Sequence, residues 1–315
     1  MAIDPETTSR TPNDRTHRHL PPARAVVSSI AVVGPGGVGI FFAAHLAATE
    51  HEVIACARRP FDRYVVESSV APISGPATVL TDPVAVEGPV DWVLVALKAQ
   101  HTSGAADWLD RLCGPDTVVV ALQNGIEAES RLAPFVNGVP VLAAVVYCGG
   151  TLVAPGHTRN TGGGRLLLPD VDESHRLAEL FADTAAVIRP DPGHHTELWR
   201  KLGINVAVNG VTALADKPIA VAGGGPGRTV ARALLQECWT VAEADGAESL
   251  LETIEETLDR FATSIHADTS MRQDRRAGRP TEHDALYGAV VRRGEAQGIP
   301  TPVSHAIGAL VAAGD

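Results

Sequence analysis

The succession Ser29-Ile-Ala-Val-Val33, Gly34-Pro-Gly36-Gly37-Val38-Gly39 and the apolar run at 40–49 constrains this chain more than any other stretch. A short β-branched run, a glycine turn and an apolar helical pattern, in that order, open a βαβ unit that binds a dinucleotide. Gly34 permits the tight turn and Gly36 lets the backbone approach a pyrophosphate. Gly39 lets the helix pack on the strand, and the helix N-terminus offers free N–H groups to the phosphates, with Gly37 and Val38 of the turn also expected to bind the cofactor. The glycine pattern alone is common. Its flanking strand and helix are the context that gives it meaning.

His51-Glu-Val-Ile-Ala-Cys-Ala57 reads as the second strand. Dinucleotide sites usually carry an Asp or Glu near its end, about 20 residues past the glycines, for the ribose 2′-hydroxyl. Here the position holds Arg58-Arg59. An acid would repel a 2′-phosphate and an Arg pairs with one bidentately, so the sequence predicts NADP(H) over NAD(H). The bland reading is two solvated arginines. Apolar strands follow at 91–97 and 117–122, ending in Lys98 and in Gln123-Asn124-Gly125. In an open parallel sheet, ligands bind beyond the carboxyl ends of the strands. Lys98 and Asn124 therefore converge with Gly36 and Arg58 on one edge, although either alone would pass for a surface residue.

The run 139–147 continues the sheet, 152–168 looks like a hairpin closing it, 174–184 reads as a helix and 186–189 as a last strand. Pro190-Asp-Pro192-Gly193 is a breaker and a natural boundary. The expected organisation is a tail at 1–28, disordered and without the apolar core of a signal peptide, an NADP-binding domain at 29–193, and a helical substrate domain at 194–315. The fold class is a Rossmann-type α/β domain with a parallel-rich sheet, followed by an all-helical domain.

Net charge is −11, which argues against general affinity for nucleic acid or an anionic membrane. Cys56, Cys113, Cys148 and Cys238 form no Cys-x-x-Cys pair and fit reduced thiols in the cytoplasm. The 12 histidines form no ligand pattern, with His17, His19, His194 and His195 read as solvated loop residues; no metal is indicated. No stretch is long and apolar enough to span a bilayer.

Helical patterns fill the second half at 196–215, 227–245, 251–263, 284–297 and 301–312. The loop Gly223-Gly-Gly225-Pro-Gly227 follows no strand and reads as a helix–helix connection. On the first helix, Lys201, Asn205 and Asn209 recur at i, i+4 and i+8 in an otherwise apolar segment. Such residues form one polar row, which is costly unless something polar lies against it. An interhelical hydrogen-bond network and a substrate pocket both satisfy that condition. Further on, Gly278-Arg279-Pro280 breaks the chain, and Thr281 or Glu282 would start the next helix. Glu282 is either a helix-start acid or a carboxylate turned toward the Lys201 row.

From Ile30 to about Val311 the chain resembles the ketopantoate reductase (2-dehydropantoate 2-reductase) family. The resemblance rests on the glycine motif, Ala96-Leu-Lys98-Ala, Gln123-Asn124-Gly125, Pro155-Gly156, Lys201-Leu-Gly-Ile-Asn205-Val-Ala-Val-Asn209 with Thr212-Ala213, and Ser270-Met-x-Gln273-Asp274 with Gly278-Arg279-Pro280-Thr281-Glu282. It implies NADPH-dependent reduction of ketopantoate to (R)-pantoate for pantothenate and coenzyme A synthesis. Lys201 would be the general acid, and Glu282 would contact the substrate and the cofactor and help orient Lys201. Asn205, Asn209 and Ser270 would bind substrate, while Lys98 and Asn124 would lie beside the nicotinamide ribose and substrate. The chemistry is coherent: hydride attack builds charge on a carbonyl oxygen, and a cation in hydrogen-bond reach stabilises that charge and supplies the proton. His283 and Tyr287 depart from the pattern, standing where the family more often has an aliphatic residue and an Asn.

Two other readings compete. An opine-type or imine-forming reductase shares the layout and would need an amine beside the oxo acid. A non-catalytic NADP(H) sensor would need no proton donor at a carbonyl. The expected partner is a small 2-oxo acid, and apolar faces on the helical half suit a homodimer.

Overall fold

The computed structural model describes residues 27–69 and 71–315; most of the expected tail at 1–28 lies outside the described residues. The strands are β1 (Ser29–Val33), β2 (Glu52–Cys56), β3 (Arg63–Glu67), β4 (Ile73–Pro76), β5 (Thr78–Leu80), β6 (Trp92–Val95), β7 (Val118–Ala121), β8 (Val141–Ala143), β9 (Val145–Ala154), β10 (His157–Pro169) and β11 (Val187–Asp191). The helices of the first part are α1 (Gly37–Ala47), α2 (Ala106–Leu112), α3 (Ala128–Leu132) and α4 (Asp172–Leu180). Those that follow are α5 (His194–Ala215), α6 (Ala220–Gly223), α7 (Gly225–Ala244), α8 (Ile254–Thr263), α9 (Ser270–Arg276), α10 (Ala289–Gln297) and α11 (Pro302–Ala312). A π-helical turn at Asp284–Gly288 leads into α10.

The fold class matches the expectation: a parallel six-stranded sheet ordered β5-β2-β1-β6-β7-β8 in the N-terminal part, then helices alone. Every residue of β6 and β7 is buried. Their β-branched runs lack alternation because helices and a second sheet cover both faces. On one face Ile40, Phe42 and Leu46 of α1 pack with Ile30 and Val32 of β1 and Leu166 and Leu168 of β10. On the other, Leu109 and Leu112 of α2 cover Val33, Val93, Val95 and Val119. The strand order reverses between β1 and β6, so the chain leaves a crevice at the carboxyl ends of these strands.

The expected hairpin forms but does not close this sheet. β9 and β10 pair antiparallel and belong to a second sheet, β11-β10-β3-β4, lying across α1. The run at 139–147 accordingly divides, with β8 in the first sheet and β9 in the second. Glycines permit the crossing: a Cβ on Gly37 would stand 2.1 Å from the Gly150 carbonyl oxygen. β3 and β4 escaped the sequence reading. Their short, partly exposed segments carry little apolar periodicity.

The helical part closes around Trp199, Leu202, Val206, Leu235, Trp239 and Leu258. Gly203 leaves room for Trp239, whose Nε1 would lie 2.1 Å from a Cβ there. The glycine-rich loop joins α6 to α7, as expected of a helix–helix connection. α9 lies between two of the expected helices, in a segment to which the sequence reading gave no element. His194 is not a solvated loop residue: it opens α5, is buried, and its Nε2 lies 2.7 Å from the Ala143 carbonyl. Its neighbour His195 is exposed, also within α5. Among the described residues no helix is long and apolar enough to cross a membrane.

Candidate active site

The glycine turn has one closed side and one open side. Gly34 sits at φ 82°, donates its N–H to the Cys56 carbonyl at 3.1 Å and has no space for a Cβ, which would meet Leu97 Cδ2 at 2.5 Å. At Gly39 a Cβ would meet the Gly34 oxygen at 2.9 Å and Ala96 at 3.0 Å, so the helix start packs directly on the strand ends. Gly36 differs, since the nearest atom to a Cβ there is the Gly34 oxygen at 3.9 Å. α1 has no side-chain cap and no acid in its first turn. Its N–H groups and positive dipole end therefore stand ready for an anion beside an open backbone, which fits the diphosphate of a dinucleotide. Val38 is half-buried in that first turn. Arg58 follows β2, exposed and with no ion pair among the described residues, a fit for a further phosphate.

Across the sheet edge stands α5 with its polar row. Asn205 Nδ2 donates to Asn124 Oδ1 at 3.3 Å. Asn124 Nδ2 donates to Glu282 Oε2 at 3.0 Å, and Glu282 Oε1 accepts the Ala99 N–H at 3.1 Å. One chain of hydrogen bonds thus runs from α5 to the residues after β7 and β6. Glu282 is buried and joined to Asn124 and Ala99; no bond links it to Lys201. Asn209, also buried, is committed to the fold: its Nδ2 donates to the Asn205 carbonyl at 3.0 Å, and its Oδ1 accepts the Met271 N–H at 3.3 Å.

Lys201 stands apart from this network. Among the described residues its ammonium has no hydrogen bond and no ion pair, and it lies 4.9 Å from the ring centroid of Tyr147 on β9. Burial pushes it below the ordinary lysine range. Ser270, the first residue of α9, is exposed and its hydroxyl is unbonded among the described residues. Lys98 pairs with the buried carboxylate of Asp274, which also accepts from Arg279 Nε at 3.0 Å. Lys98 and Glu282 therefore both tie the sheet edge to the segment 274–282. A surface hollow lined by Glu129, His194, His195, Asp245 and Arg293 includes no member of the polar row.

Tyr147 and Asp274 went unassigned in the sequence, since neither spacing nor composition marks them. The departures His283 and Tyr287 are occupied elsewhere. His283 Nδ1 lies 3.1 Å from an Asp315 carboxylate oxygen. The buried Tyr287 hydroxyl bridges α5 itself, accepting the Gly210 N–H at 2.6 Å and donating to the Val206 carbonyl at 2.7 Å.

A glycine turn at the carboxyl ends of a parallel sheet, faced by a helical half, is the arrangement of pyridine-nucleotide-dependent oxidoreductases. The finer assignment comes from comparison. Residues 30–173 match the model "Ketopantoate reductase PanE/ApbA" and residues 194–315 match its C-terminal model. The 2-dehydropantoate 2-reductase of Caulobacter vibrioides is 37% identical over 290 residues, covering 90% of this chain and 98% of that protein. The crystal structure of a PanE/ApbA family ketopantoate reductase from Ralstonia eutropha JMP134 has a TM-score of 0.81 at 32% identity, over 90% of this chain and 97% of that one. The chain belongs to the ketopantoate reductase family. A D-mandelate dehydrogenase solved with NADH and anilino(oxo)acetate shares the fold, with a TM-score of 0.81 at 21% identity over 91% of this chain and 97% of that one.

Proposed function

We propose that this protein is an NADPH-dependent reductase of 2-oxo acids. Its substrate is 2-dehydropantoate, its product is (R)-pantoate, and Lys201 is the general acid. The reaction belongs to pantothenate and coenzyme A synthesis in the cytoplasm. The observation that carries the reading is the Lys201 ammonium, half-buried and, among the described residues, free of any carboxylate, on the helix whose Asn205 is bonded to the sheet edge.

Gly34, Gly36, Gly37, Val38 and Gly39 would hold the diphosphate, and Arg58 the 2′-phosphate. NADPH, when bound, supplies a hydride to C2 of the substrate. Lys201 donates its proton to the C2 oxygen as charge develops there, and its weakened hold on that proton favours the transfer. Asn205, fixed through Asn124, orients the substrate's oxygen groups. Asn209 supports Asn205 from one turn on. The free hydroxyl of Ser270 receives the substrate carboxylate. Glu282 acts by fixing Asn124 and the Ala99 N–H, and through Asn124 it orients Asn205 rather than Lys201. Lys98 would turn from Asp274 to the cofactor ribose or the substrate.

NADPH oxidation measured with ketopantoate and a panel of other 2-oxo acids, with and without added amine, tests the reading. Turnover on ketopantoate alone is expected. Turnover only with amine present would move the protein to imine reduction, and tight NADPH binding without any turnover would make it a sensor. Lys201→Ala is expected to lower kcat by orders of magnitude. NADPH is expected to bind more tightly than NADH, with the difference lost in Arg58→Ala.

A further inference from the structure

Among the described residues Lys201 has no anionic partner, yet an aromatic ring stands beside its ammonium. Tyr147 comes from β9, and its hydroxyl donates to Glu197 Oε2 at 3.2 Å. Glu197 lies one helical turn before Lys201 on α5, and its other oxygen accepts from Arg200 Nε at 3.0 Å. The tip of the ring is thus tethered to the turn preceding the lysine, which brings the ring to the ammonium four residues on. Side chains at i and i+4 share one face of a helix, so this follows from the spacing of Glu197 and Lys201. The ring centroid is 4.9 Å from Lys201 Nζ, within range of a cation–π attraction.

We propose that Tyr147 is a positioning residue for the general acid, holding the Lys201 ammonium by the electron-rich ring rather than by a carboxylate. The inference rests on the assignment of Lys201 above. A carboxylate would accept the Lys201 proton in a strong hydrogen bond and compete with the substrate oxygen for it. A ring face stabilises the cation but offers no lone pair, so it takes up no N–H in a strong hydrogen bond that would compete with the substrate oxygen. The ring also opposes the burial that depresses the lysine, keeping it protonated in a poorly hydrated place. The charged groups facing this contact are Glu197 and Arg200 on α5 and Arg165 on β10, whose guanidinium carbon lies 4.9 Å from the same ring centroid. Arg165 stands opposite Tyr147 across the β9–β10 ladder. Glu282 is two hydrogen bonds from Asn205 and makes none to Lys201. The phenol is no rival acid: burial first, then Glu197, pushes Tyr147 up to about 12.

The test compares Tyr147→Phe with Tyr147→Leu in the full-length protein, using ketopantoate, across pH. The alkaline limb of kcat/KM reports loss of the Lys201 proton. Removing the ring removes stabilisation of the ammonium, so in Y147L the limb moves down by about one pH unit and kcat falls roughly tenfold. Y147F keeps the ring and stays within about threefold of the parent, with its limb unmoved on that scale. Phenylalanine rings of increasing fluorination at 147 preserve the packing while weakening the ring face, and are expected to lower the limb stepwise. An unmoved limb in Y147L and across the fluorinated series overturns the inference, as does a loss in Y147F equal to that in Y147L. Lys201→Ala separates the two claims. Normal turnover in K201A ends the general-acid assignment, whereas a dead K201A with an indifferent Tyr147 ends only the role given to the ring.

Discussion

Glu282 Oε2 accepts a hydrogen bond from Asn124 Nδ2 at 3.0 Å, joining two residues 158 positions apart. Its other oxygen takes the Ala99 N–H at 3.1 Å, so one buried carboxylate fixes the chain just beyond both β6 and β7. Asn124 turns its own oxygen to Asn205. The carboxylate therefore sets which end of the Asn124 amide faces α5.

That polarity makes Glu282→Gln a sharp probe. Gln can still accept the Ala99 N–H, but its NH₂ then confronts the NH₂ of Asn124. Flipping the Asn124 amide would relieve that contact only by turning its donors on Asn205. Either one bond in the chain is lost, at a cost of about 1–3 kcal/mol, or Asn124 and Asn205 both flip and Asn205 presents a donor to the site where it presented an acceptor. Expected is a fall in kcat/KM of about 10- to 100-fold with NADPH binding by fluorescence titration little changed. Parental kcat/KM in E282Q would remove the positioning role.

Asp274 offers a test of coupling. Its side chain is only 3% exposed and accepts from both Lys98 and Arg279. Lys98→Ala or Arg279→Ala alone leaves one cation to compensate the buried charge. The double variant leaves none, and an uncompensated buried charge costs about 3–5 kcal/mol. Thermal denaturation is expected to show a loss in the double variant that exceeds the sum of the singles. Adding Asp274→Asn, which removes the stranded charge, is expected to restore part of the Tm. Simple additivity would contradict the pairing.

A third expectation concerns α5 one turn beyond Asn205. A Cβ on Gly210 would stand 2.4 Å from the Tyr287 hydroxyl and 2.5 Å from Ile307 Cγ2. Gly210→Ala normally favours a helix, but here overpacking is expected to cost about 1–3 kcal/mol in urea denaturation. Tyr287→Phe removes one of the clashing atoms and frees the Gly210 N–H and Val206 carbonyl to bond each other. The pair of substitutions is expected to cost less than the two separately, and a neutral G210A would show that the wedge yields.

The legible parts of this chain were those whose partners are near in sequence or whose role is a backbone role. The β-branched run into Gly34-Pro-Gly36 announced the nucleotide turn because no other residue type fits at Gly34 or Gly39. The i, i+4 spacing announced the row of Lys201, Asn205 and Asn209. What that row meets was only partly legible: Asn124 was read at the site's edge, but Tyr147 arrives from a strand placed by the global topology, and Asn209 turned out to serve α9. The sequence left open whether the row was a hydrogen-bond network or a site, and the structure divides it, with Asn205 and Asn209 in the network and Lys201 outside it. Likewise Tyr287, which the sequence marked only as a departure from the family pattern, fills a gap beside α5 at a glycine 77 positions away.

The isolation of Lys201 has a consequence for stability as well as chemistry. Its folded pKa is lowered by burial, so the native state disfavours the proton that the unfolded chain holds easily. Where the pH lies below both values the lysine is charged in both states, and the native protein carries the desolvation cost less what the Tyr147 ring offsets. Lys201→Met, of similar length and uncharged, removes it and is expected to raise stability at pH 7 by about 1 kcal/mol while abolishing turnover. The sign with pH follows from proton counts. Between the lowered folded value and the ordinary lysine value the unfolded chain binds more protons, so the parent's stability rises with pH there. The advantage of K201M should therefore shrink as pH climbs through that window. Denaturant melts of both proteins from neutral to mildly alkaline pH measure this, and a K201M protein less stable than its parent at pH 7 would mean that the ammonium is compensated in the fold after all.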